Sequence, residues 1–151
     1  MKFNEFYSLT IVHSRDIILV KGVDYMNITK QKSQKTFDKQ AADYDTNIQG
    51  EHARKLYKPI IENLKNKNIH SILDLGCGTG ALLKEIKELN IAEQLFGIDI
   101  SPNMLEIAKN KLGNDATLIL GDSERLPFED SSFDAIVCND SFHHYPQPDI
   151  V

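Results

Sequence analysis

The segment from Ser71 to Ala81, SILDLGCGTGA, constrains the fold of this chain more than any other. Its apolar residues suit a buried strand, and the three glycines that follow at alternate positions allow backbone conformations closed to other residues. Apolar residues then recur at helical spacing, at Leu82, Leu83, Ile86 and Leu89. The segment therefore predicts a strand, a tight turn and a helix start. The N–H groups exposed at such a turn suit a ligand that approaches the main chain closely, although an ordinary flexible β–α turn would also need glycines.

Composition favours a single globular domain. The chain has 151 residues, of which 41% are hydrophobic and 26% charged, and this is ordinary for a soluble protein with a sizeable core. The aliphatic run at residues 17–20 is far too short to span a membrane, and residues 1–25 lack a signal-peptide pattern. Cys77 and Cys138 have no ligand-like spacing, so we expect neither a disulfide framework nor a metal site. A cytoplasmic protein is the expectation.

Charge is unevenly distributed along the chain. Residues 1–70 carry a net charge of +4, whereas residues 71–151 carry a net charge of −9. The basic run Lys30, Lys32, Lys35 and Lys39 is interrupted by Gln and Ser and has no interleaved aromatic residues. We interpret it as a solvated helix face, and we expect no nucleic-acid partner.

Three regions are predicted. Residues 1–25 are interpreted as an N-terminal extension or poorly ordered arm, with Met26 as a candidate natural start. Residues 26–68 form a helical segment, with helices over about 30–44 and 51–65, the second of them kinked or started late by Pro59. Residues 69–151 form an α/β domain.

Strands and helices alternate after residue 70. Further strands are predicted at 94–100, 116–120 and 133–138, each apolar nearly throughout. The helix after the second strand has Ser101 at the N-cap, Pro102 at its first position and Gly113 at its end. The connection 123–132 is too short for a regular crossover helix and is expected to be mostly loop. The pattern predicts a doubly wound, Rossmann-like parallel sheet covered on both faces.

Each of the four predicted strands ends in a polar residue, namely Asp74, Asp99, Asp122 and Asn139. Ligands of open α/β sheets bind beyond the carboxyl ends of the strands, so one cofactor should touch all four ends. Asp99 follows Gly76 by 23 residues, close to the spacing of about 20 expected for a carboxylate that holds ribose hydroxyls. Taken singly, each of these residues could instead be a helix cap or a turn residue.

Two cofactor classes compete for this pattern. Gly76-x-Gly78-x-x-Ala81 satisfies the permissive dinucleotide fingerprint of nicotinamide-dependent dehydrogenases. However, the succession DLGCGTG, GIDIS, GDSERLPF and SFDAIVCNDSFHH resembles the class I S-adenosylmethionine-dependent methyltransferases, and among them the small-molecule branch that includes ubiquinone- and menaquinone-biosynthesis enzymes. The resemblance covers about residues 37–146. It implies a seven-stranded fold, of which these would be the N-terminal four strands, and makes 69–151 a partial S-adenosylmethionine-binding domain.

The resemblance also implies roles for individual residues. Asp74 would hold the methionine ammonium, and Asp99 both ribose hydroxyls. The glycine-rich backbone would pack against the methionyl and ribose portion through Gly76, Cys77, Gly78, Thr79 and Gly80. The adenine would be held by Ile100, Met104, Asp122 and Ser123, and Asn139 would lie near the methionine end. Asp74 best separates the two cofactors, because an acid suits a cationic ligand and would repel a pyrophosphate.

Methyl transfer from a sulfonium is an in-line displacement on an activated donor, so the protein mainly aligns the reacting groups. A general base is needed only if the acceptor must lose a proton. His143 and His144 follow the fourth strand and are candidates for that base, although shape and hydrogen bonding in the loop account for them more readily. Tyr44 is expected in a segment that covers the cofactor, or in packing.

Only four strands can be read before the last residue. We therefore expect a truncated methyltransferase that retains part of the cofactor site and has little or no turnover alone, with a small-molecule acceptor that the sequence does not specify. The fourth strand would carry an exposed apolar edge, which favours association. Two alternatives remain: a non-catalytic cofactor-binding or assembly module that pairs through this edge, for instance as a homodimer, and a nicotinamide-dependent dehydrogenase.

Overall fold

The computed structural model describes residues 7–11, 17–147 and 149, with side chains from Ile28 onward. Ten regular elements and one short 3₁₀ helix follow in chain order. They are β1 (Tyr7–Ile11), β2 (Ile17–Lys21), α1 (Gly22–Gln40), α2 (Glu51–Leu64), β3 (Ile69–Leu75), α3 (Ala81–Glu88), β4 (Ala92–Asp99), α4 (Pro102–Leu112), β5 (Ala116–Leu120), β6 (Ala135–Cys138) and the 3₁₀ helix Phe142–His144.

The N-terminal region consists of an antiparallel pair followed by two helices. β1 pairs with β2, and α1 begins directly after β2 and runs through Met26. The predicted boundary between residues 25 and 26 therefore lies inside α1, while the parts of the predicted arm at 1–6 and 12–16 lie outside the described residues. α1 ends at Gln40 rather than near 44, because residues 41–46 form turns, with Thr46 and Asn47 N–H both donating to Asp43 O. α2 matches its prediction to within one residue and accommodates Pro59.

The main sheet has four parallel strands in the order β5-β4-β3-β6. The chain leaves β3, moves outward through β4 to β5, and then returns to the other side of β3 as β6. The predicted parallel, Rossmann-like α/β fold is thus confirmed. β5 has the predicted bounds, β4 is displaced by one or two residues, and β6 starts two residues late. As expected, the connection from β5 to β6 contains no α-helix.

Two apolar clusters hold the sheet. On one face, Ile72 of β3 and Leu95 of β4 pack with Leu83 and Ile86 of α3 and with Leu112 of α4. Ile72, Leu83 and Ile86 are fully buried, and a buried side chain of this size contributes roughly 1.5–3 kcal/mol. These contacts fix the helices, and hence the strand ends, relative to one another.

The opposite face is covered by aromatic residues of the long connection. Leu73, Leu75 and Ile98 pack against Phe96, Phe128 and Phe133. The rings of Phe128 and Phe133 meet edge to face with centroids 4.8 Å apart, and Phe133 meets Phe96 at 5.0 Å. The loop thus covers the sheet in place of a crossover helix. Among the helices of the described part of the chain, none is both long and apolar enough to cross a bilayer.

Candidate functional site

A cavity of about 880 Å³, counted with its open mouth, lies at the carboxyl ends of the four parallel strands. All but one of the predicted cofactor residues line it, namely Asp74, Gly76, Cys77, Gly78, Thr79, Asp99, Ile100, Met104, Asp122, Ser123 and Asn139. The fold thus brings residues from four strand ends around one space.

The glycine-rich turn forms one wall of the cavity. Gly76 and Cys77 N–H both donate to Ile98 O, at 2.9 and 3.1 Å, and this ties the turn to β4. Gly78 has a φ of +53°, and a Cβ placed there would meet nothing within 4 Å, so its backbone borders open space. Gly80 is different: it lies outside the lining, and a Cβ there would come 2.8 Å from Leu112 Cδ1. Its position serves the close packing of the turn against α4.

Asp74 is the last polar group of β3 and is 2% exposed. Its Oδ1 is buried and has no hydrogen-bond partner among the described residues. Burial, together with the charge of Asp99, raises the pKa of the Asp74 carboxyl to about 8. A buried carboxylate without a partner is costly, so this position is suited to a bound group with N–H donors or positive charge.

Asp99 ends β4 and is held by main-chain N–H groups. Its Oδ2 accepts from Gly78 N and its Oδ1 from Ser101 N, both at 2.8 Å. Burial raises the pKa of Asp99, and these backbone hydrogen bonds oppose that rise. Each carboxylate oxygen can accept more than one hydrogen bond, so the fixed carboxylate can still receive hydroxyl groups of a ligand.

Asp122, beyond β5, belongs to a charged cluster with Lys30 and Glu124. Its Oδ1 accepts from Glu124 N at 3.0 Å, and its Oδ2 lies 2.5 Å from Lys30 Nζ. Lys30 also forms an ion pair with Glu124. Burial alone would lower the pKa of Lys30, but its hydrogen bonds to Asp122 and Glu124 raise the pKa overall. The solvated face predicted for the basic run is therefore wrong for Lys30, whereas Lys32, Lys35 and Lys39 are exposed.

Asn139 and Asp140 follow β6 at the same edge of the sheet. Asn139 Nδ2 donates to Ala53 O at 3.3 Å, whereas its Oδ1 is buried without a partner among the described residues. Asp140 adopts a left-handed backbone with φ +56° and contacts His52 Nδ1 at 2.8 Å. Asn139 Oδ1 is thus a second buried acceptor at the cavity, after Asp74 Oδ1, that is open to a hydrogen-bond donor.

His144 lies at the cavity, whereas His143 is outside its lining and contacts His144 with ring centroids 4.0 Å apart and planes tilted by 43°. His144 also meets Phe37 edge to face at 5.1 Å. Burial, and next the neighbouring His143, lowers the pKa of His144. Its imidazole is therefore neutral at pH 7 and can accept a proton.

Tyr44 also lines the cavity, and Arg54 fixes its backbone by donating from Nη1 to Tyr44 O at 2.9 Å. Its ring contacts Phe37 of α1 at 6.3 Å. Burial raises the pKa of the Tyr44 hydroxyl, so it stays neutral. The structure thus places Tyr44 beside the cavity, in the turn that follows α1.

Sequence reasoning missed several lining residues, including Phe37, Tyr57, Ser141 and Tyr145. Ser141 Oγ donates to Leu75 O at 2.8 Å and accepts from the Tyr145 hydroxyl at 2.9 Å. These contacts join the loop after β6 to the end of β3. The SFHHY run carries no local signal for this bridge, because its partner is 66 residues away in the sequence.

The lining is acidic. It contains Asp74, Asp99, Asp122 and Asp140, and among the described lining residues Lys30 is the only Lys or Arg. Such a lining favours a cationic ligand over a phosphate. Across the described residues, no group of three or more His, Cys, Asp or Glu side chains could hold a metal ion.

Comparison with known proteins agrees with this geometry. The methyltransferase domain family matches residues 72–151. The demethylmenaquinone methyltransferase of Thermotoga maritima is 34% identical over 120 residues, which are 78% of this chain and 52% of that protein. The chain spans about half the length of this relative.

Solved structures of methyltransferases are also similar to this chain. A putative methyltransferase, solved in complex with the Haloferax volcanii Trm112 methyltransferase activator, superposes with a TM-score of 0.65 at 27% identity, over 76% of this chain and 51% of that one. The plantazolicin methyltransferase BpumL, in complex with a triazolic desmethylPZN analogue and S-adenosylhomocysteine, gives a TM-score of 0.54 at 27% identity, over 76% of this chain and 47% of that one.

The fold and the cavity define a Rossmann-like domain with a glycine-rich turn and an acid at the end of each of three neighbouring strands. The chain belongs to the methyltransferase domain family, within the class I S-adenosylmethionine-dependent methyltransferases.

Proposed function

We propose that this chain binds S-adenosylmethionine at the strand-end cavity and contributes to methyl transfer to a small-molecule acceptor. The observation that carries the proposal is the buried, unpartnered Oδ1 of Asp74 beside the open backbone of Gly78. An α-ammonium group would donate to this oxygen and offset its burial. S-adenosylhomocysteine in the related BpumL structure supports the same cofactor class.

The residues present fit this cofactor. Asp74 and Asn139 offer unpartnered acceptors for the ammonium, and Asp99 is fixed in place to receive ribose hydroxyls. We assign the adenine end to Ile100, Met104, Asp122 and Ser123, and the central portion to the backbone of residues 76–79, all of which line the cavity. Gly80 would act through turn packing rather than through contact with the cofactor.

The cofactor supplies an activated methyl group, and the residues of this chain align the acceptor and exclude water. Phe37, Tyr44 and Tyr57 place rings along the cavity. His144, neutral at pH 7, would accept the proton of an acceptor that must ionise, while His143 would support it through the contact between their rings. A cytoplasmic location stays a prediction.

Calorimetry with S-adenosylmethionine, S-adenosylhomocysteine and NAD tests the proposal. We expect both sulfur ligands to bind and NAD not to bind, because the acidic lining repels a pyrophosphate. Asp99→Ala should abolish binding, whereas Asp130→Ala, at an exposed position of the β5–β6 connection, should leave it unchanged. NAD binding in place of the sulfur ligands would support the dehydrogenase alternative and refute ours. A methylation assay on the 151-residue chain tests the expectation of little turnover alone.

One observation favours the alternative of an assembly module. β6 pairs only with β3 among the described strands, and Ile136 and Phe142 are 55% and 51% exposed. A second copy of this chain could pair with that edge. Size-exclusion chromatography with light scattering would then show a dimer, which Ile136→Lys should dissociate and Leu89→Lys, on another exposed apolar residue, should not. A monomer at all concentrations would reject this alternative.

A further inference from the structure

Glu124 is a buried carboxylate that the predicted cofactor roles do not include. Its side chain is 1% exposed and forms an ion pair with Lys30 of α1. Its Oε1 accepts from Gln147 N at 2.5 Å, in the loop after β6. One side chain thus joins α1, the segment after β5 and the segment after β6, which are far apart in sequence.

Lys30 is shared between two acids. Its Nζ lies 2.5 Å from Asp122 Oδ2 and also contacts Glu124, and the Lys30 side chain is only 18% exposed. Removing one member of a buried, hydrogen-bonded charge pair leaves the other charge uncompensated. Among the described residues, Lys30 is the cation that compensates Glu124. The Lys30–Glu124 ion pair therefore stabilises the position of α1 more than an exposed ion pair would.

Two further acidic side chains hold the same part of the chain, Asp38 and Asp45. Asp38 Oδ1 accepts from Ser101 Oγ at 2.5 Å, at the end of β4. Asp45 accepts from Thr79 Oγ1 at 2.5 Å and from Lys111 Nζ at 2.7 Å, beside the glycine-rich turn of β3. Residues 30–45, which we call the strap, thus cross the ends of β5, β4 and β3 in turn, and Lys30 is the attachment at β5.

We propose that Lys30 and Glu124 form a latch that closes the strap over the Asp122 end of the cavity and sets the rate at which ligand is exchanged. Both are positioning residues: they act by holding α1 and Asp122, which line the cavity. Opening requires Lys30 to leave two carboxylates, one of them almost fully buried, so it is slow. The inference rests on the proposed function only in the choice of ligand.

Stopped-flow dissociation of S-adenosylhomocysteine tests the latch. Lys30→Met keeps the apolar stem of the side chain and removes its charge, and we expect the dissociation rate to rise by about tenfold or more. Glu124→Gln should raise the rate similarly. The double variant should be no faster than the faster single variant, because the two residues act as one unit. Lys35→Met, on the exposed side of the same helix, is the matched control and should leave the rate unchanged.

The opposite results overturn the inference. An unchanged rate in Lys30→Met shows that the strap does not control exchange. A slower rate shows that Lys30 competes with the ligand for Asp122, which also rejects the latch. Glu124→Gln removes a buried charge whose carboxylate also accepts from Gln147 N, so the unfolding transition of this variant is measured as well. If Glu124→Gln does not fold, the dissociation rate of Lys30→Met alone tests the latch.

A measurement without ligand separates this inference from the proposed function. In hydrogen exchange, Lys30→Met should speed exchange of the amides of α1 within the strap, relative to Lys35→Met, while those of α3 stay unchanged. If no variant, including the natural sequence, binds S-adenosylhomocysteine, the proposed function fails, and hydrogen exchange alone decides on the latch. Equal protection of the strap in both variants would reject it.

Discussion

Replacing Asp74 by Asn should stabilise the folded chain, and the gain should grow with pH. The natural side chain is 2% exposed with an unpartnered Oδ1, and its pKa rises from 3.8 in the reference state to about 8 in the fold. Between these two pH values the folded state keeps a proton on Asp74 that the unfolded state has lost. The free energy of unfolding of the natural chain therefore falls as the pH rises through this window.

The magnitude follows from the linkage relation. One bound proton changes the free energy of unfolding by about 1.4 kcal/mol per pH unit. Over pH 5 to 8 the difference between Asp74→Asn and the natural chain should grow by up to about 4 kcal/mol, because Asn does not titrate. This is large beside the total stability of about 5–15 kcal/mol of a small domain. Under the proposed function the variant should also lose affinity for S-adenosylhomocysteine, because Asn cannot release a proton and become the carboxylate that would pair with the ligand's ammonium.

Urea unfolding at pH 5, 6, 7 and 8, followed by circular dichroism, measures this difference. Asp134→Asn is the control, because the fold lowers the pKa of Asp134 instead of raising it. Hydrogen bonds from Ser71 N–H and next from His70 N–H lower the pKa of Asp134, so it is ionised in both folded and unfolded states above pH 5. Its effect on stability should be constant over the same range. A stability difference for Asp74→Asn that does not change with pH would refute the reasoning, because Asp74 would then be ionised in the fold as it is in water.

Three other predictions concern the core, the turn and His144. Leu83→Ala, at a fully buried position, should lower the free energy of unfolding by about 2–5 kcal/mol in urea titrations. Leu89→Ala, at a position that is 48% exposed, should lower it far less. Equal losses in the two variants would contradict the described packing. Gly80→Ala should lower the free energy of unfolding more than Gly78→Ala. The new Cβ at residue 80 would lie 2.8 Å from Leu112 Cδ1 in a backbone with φ +70°, whereas a Cβ at residue 78 would meet nothing within 4 Å. A larger loss for Gly78→Ala would contradict the described packing of the turn. In an NMR titration the pKa of His144 should lie below about 6.5, the ordinary value for histidine. Phe37→Ala should raise this pKa towards 6.5, because water would then reach the imidazole. A pKa above 6.5 in the natural chain would argue against a neutral imidazole at pH 7.

The elements of the α/β region could be predicted because their signals are local. Ser101 Oγ accepts from Met104 N at 3.2 Å, Pro102 opens α4 and Gly113 closes it, as the sequence pattern indicated. The polar strand ends were predictable for a related reason: parallel strands place their carboxyl ends at one edge, so residues that each follow an apolar run must meet there. The assigned contacts of these residues with a cofactor stay predictions.

Other features had no local signal. Glu124 and Tyr145 resemble ordinary loop residues in the sequence, and Lys30 resembled a member of a solvated helix face. Lys30 meets Asp122 across 92 residues of sequence. Such a contact depends on where α1 crosses the sheet, which no periodicity of α1 itself specifies. The end of α1 was misplaced because turn hydrogen bonds to Asp43 replace a last helical turn.

The sequence by itself determined the four strands and two helices after residue 68, the glycine-rich turn and the acids at three strand ends, because each depends on neighbouring residues and on the burial of an apolar face. Only the tertiary structure decided the strand order β5-β4-β3-β6, the lack of a partner for Asp74 Oδ1 among the described residues and the attachment of α1 through Lys30. These depend on which distant groups come together when the chain is compact. A side chain's solvation, and with it its charge, is set by those groups and not by its neighbours in sequence.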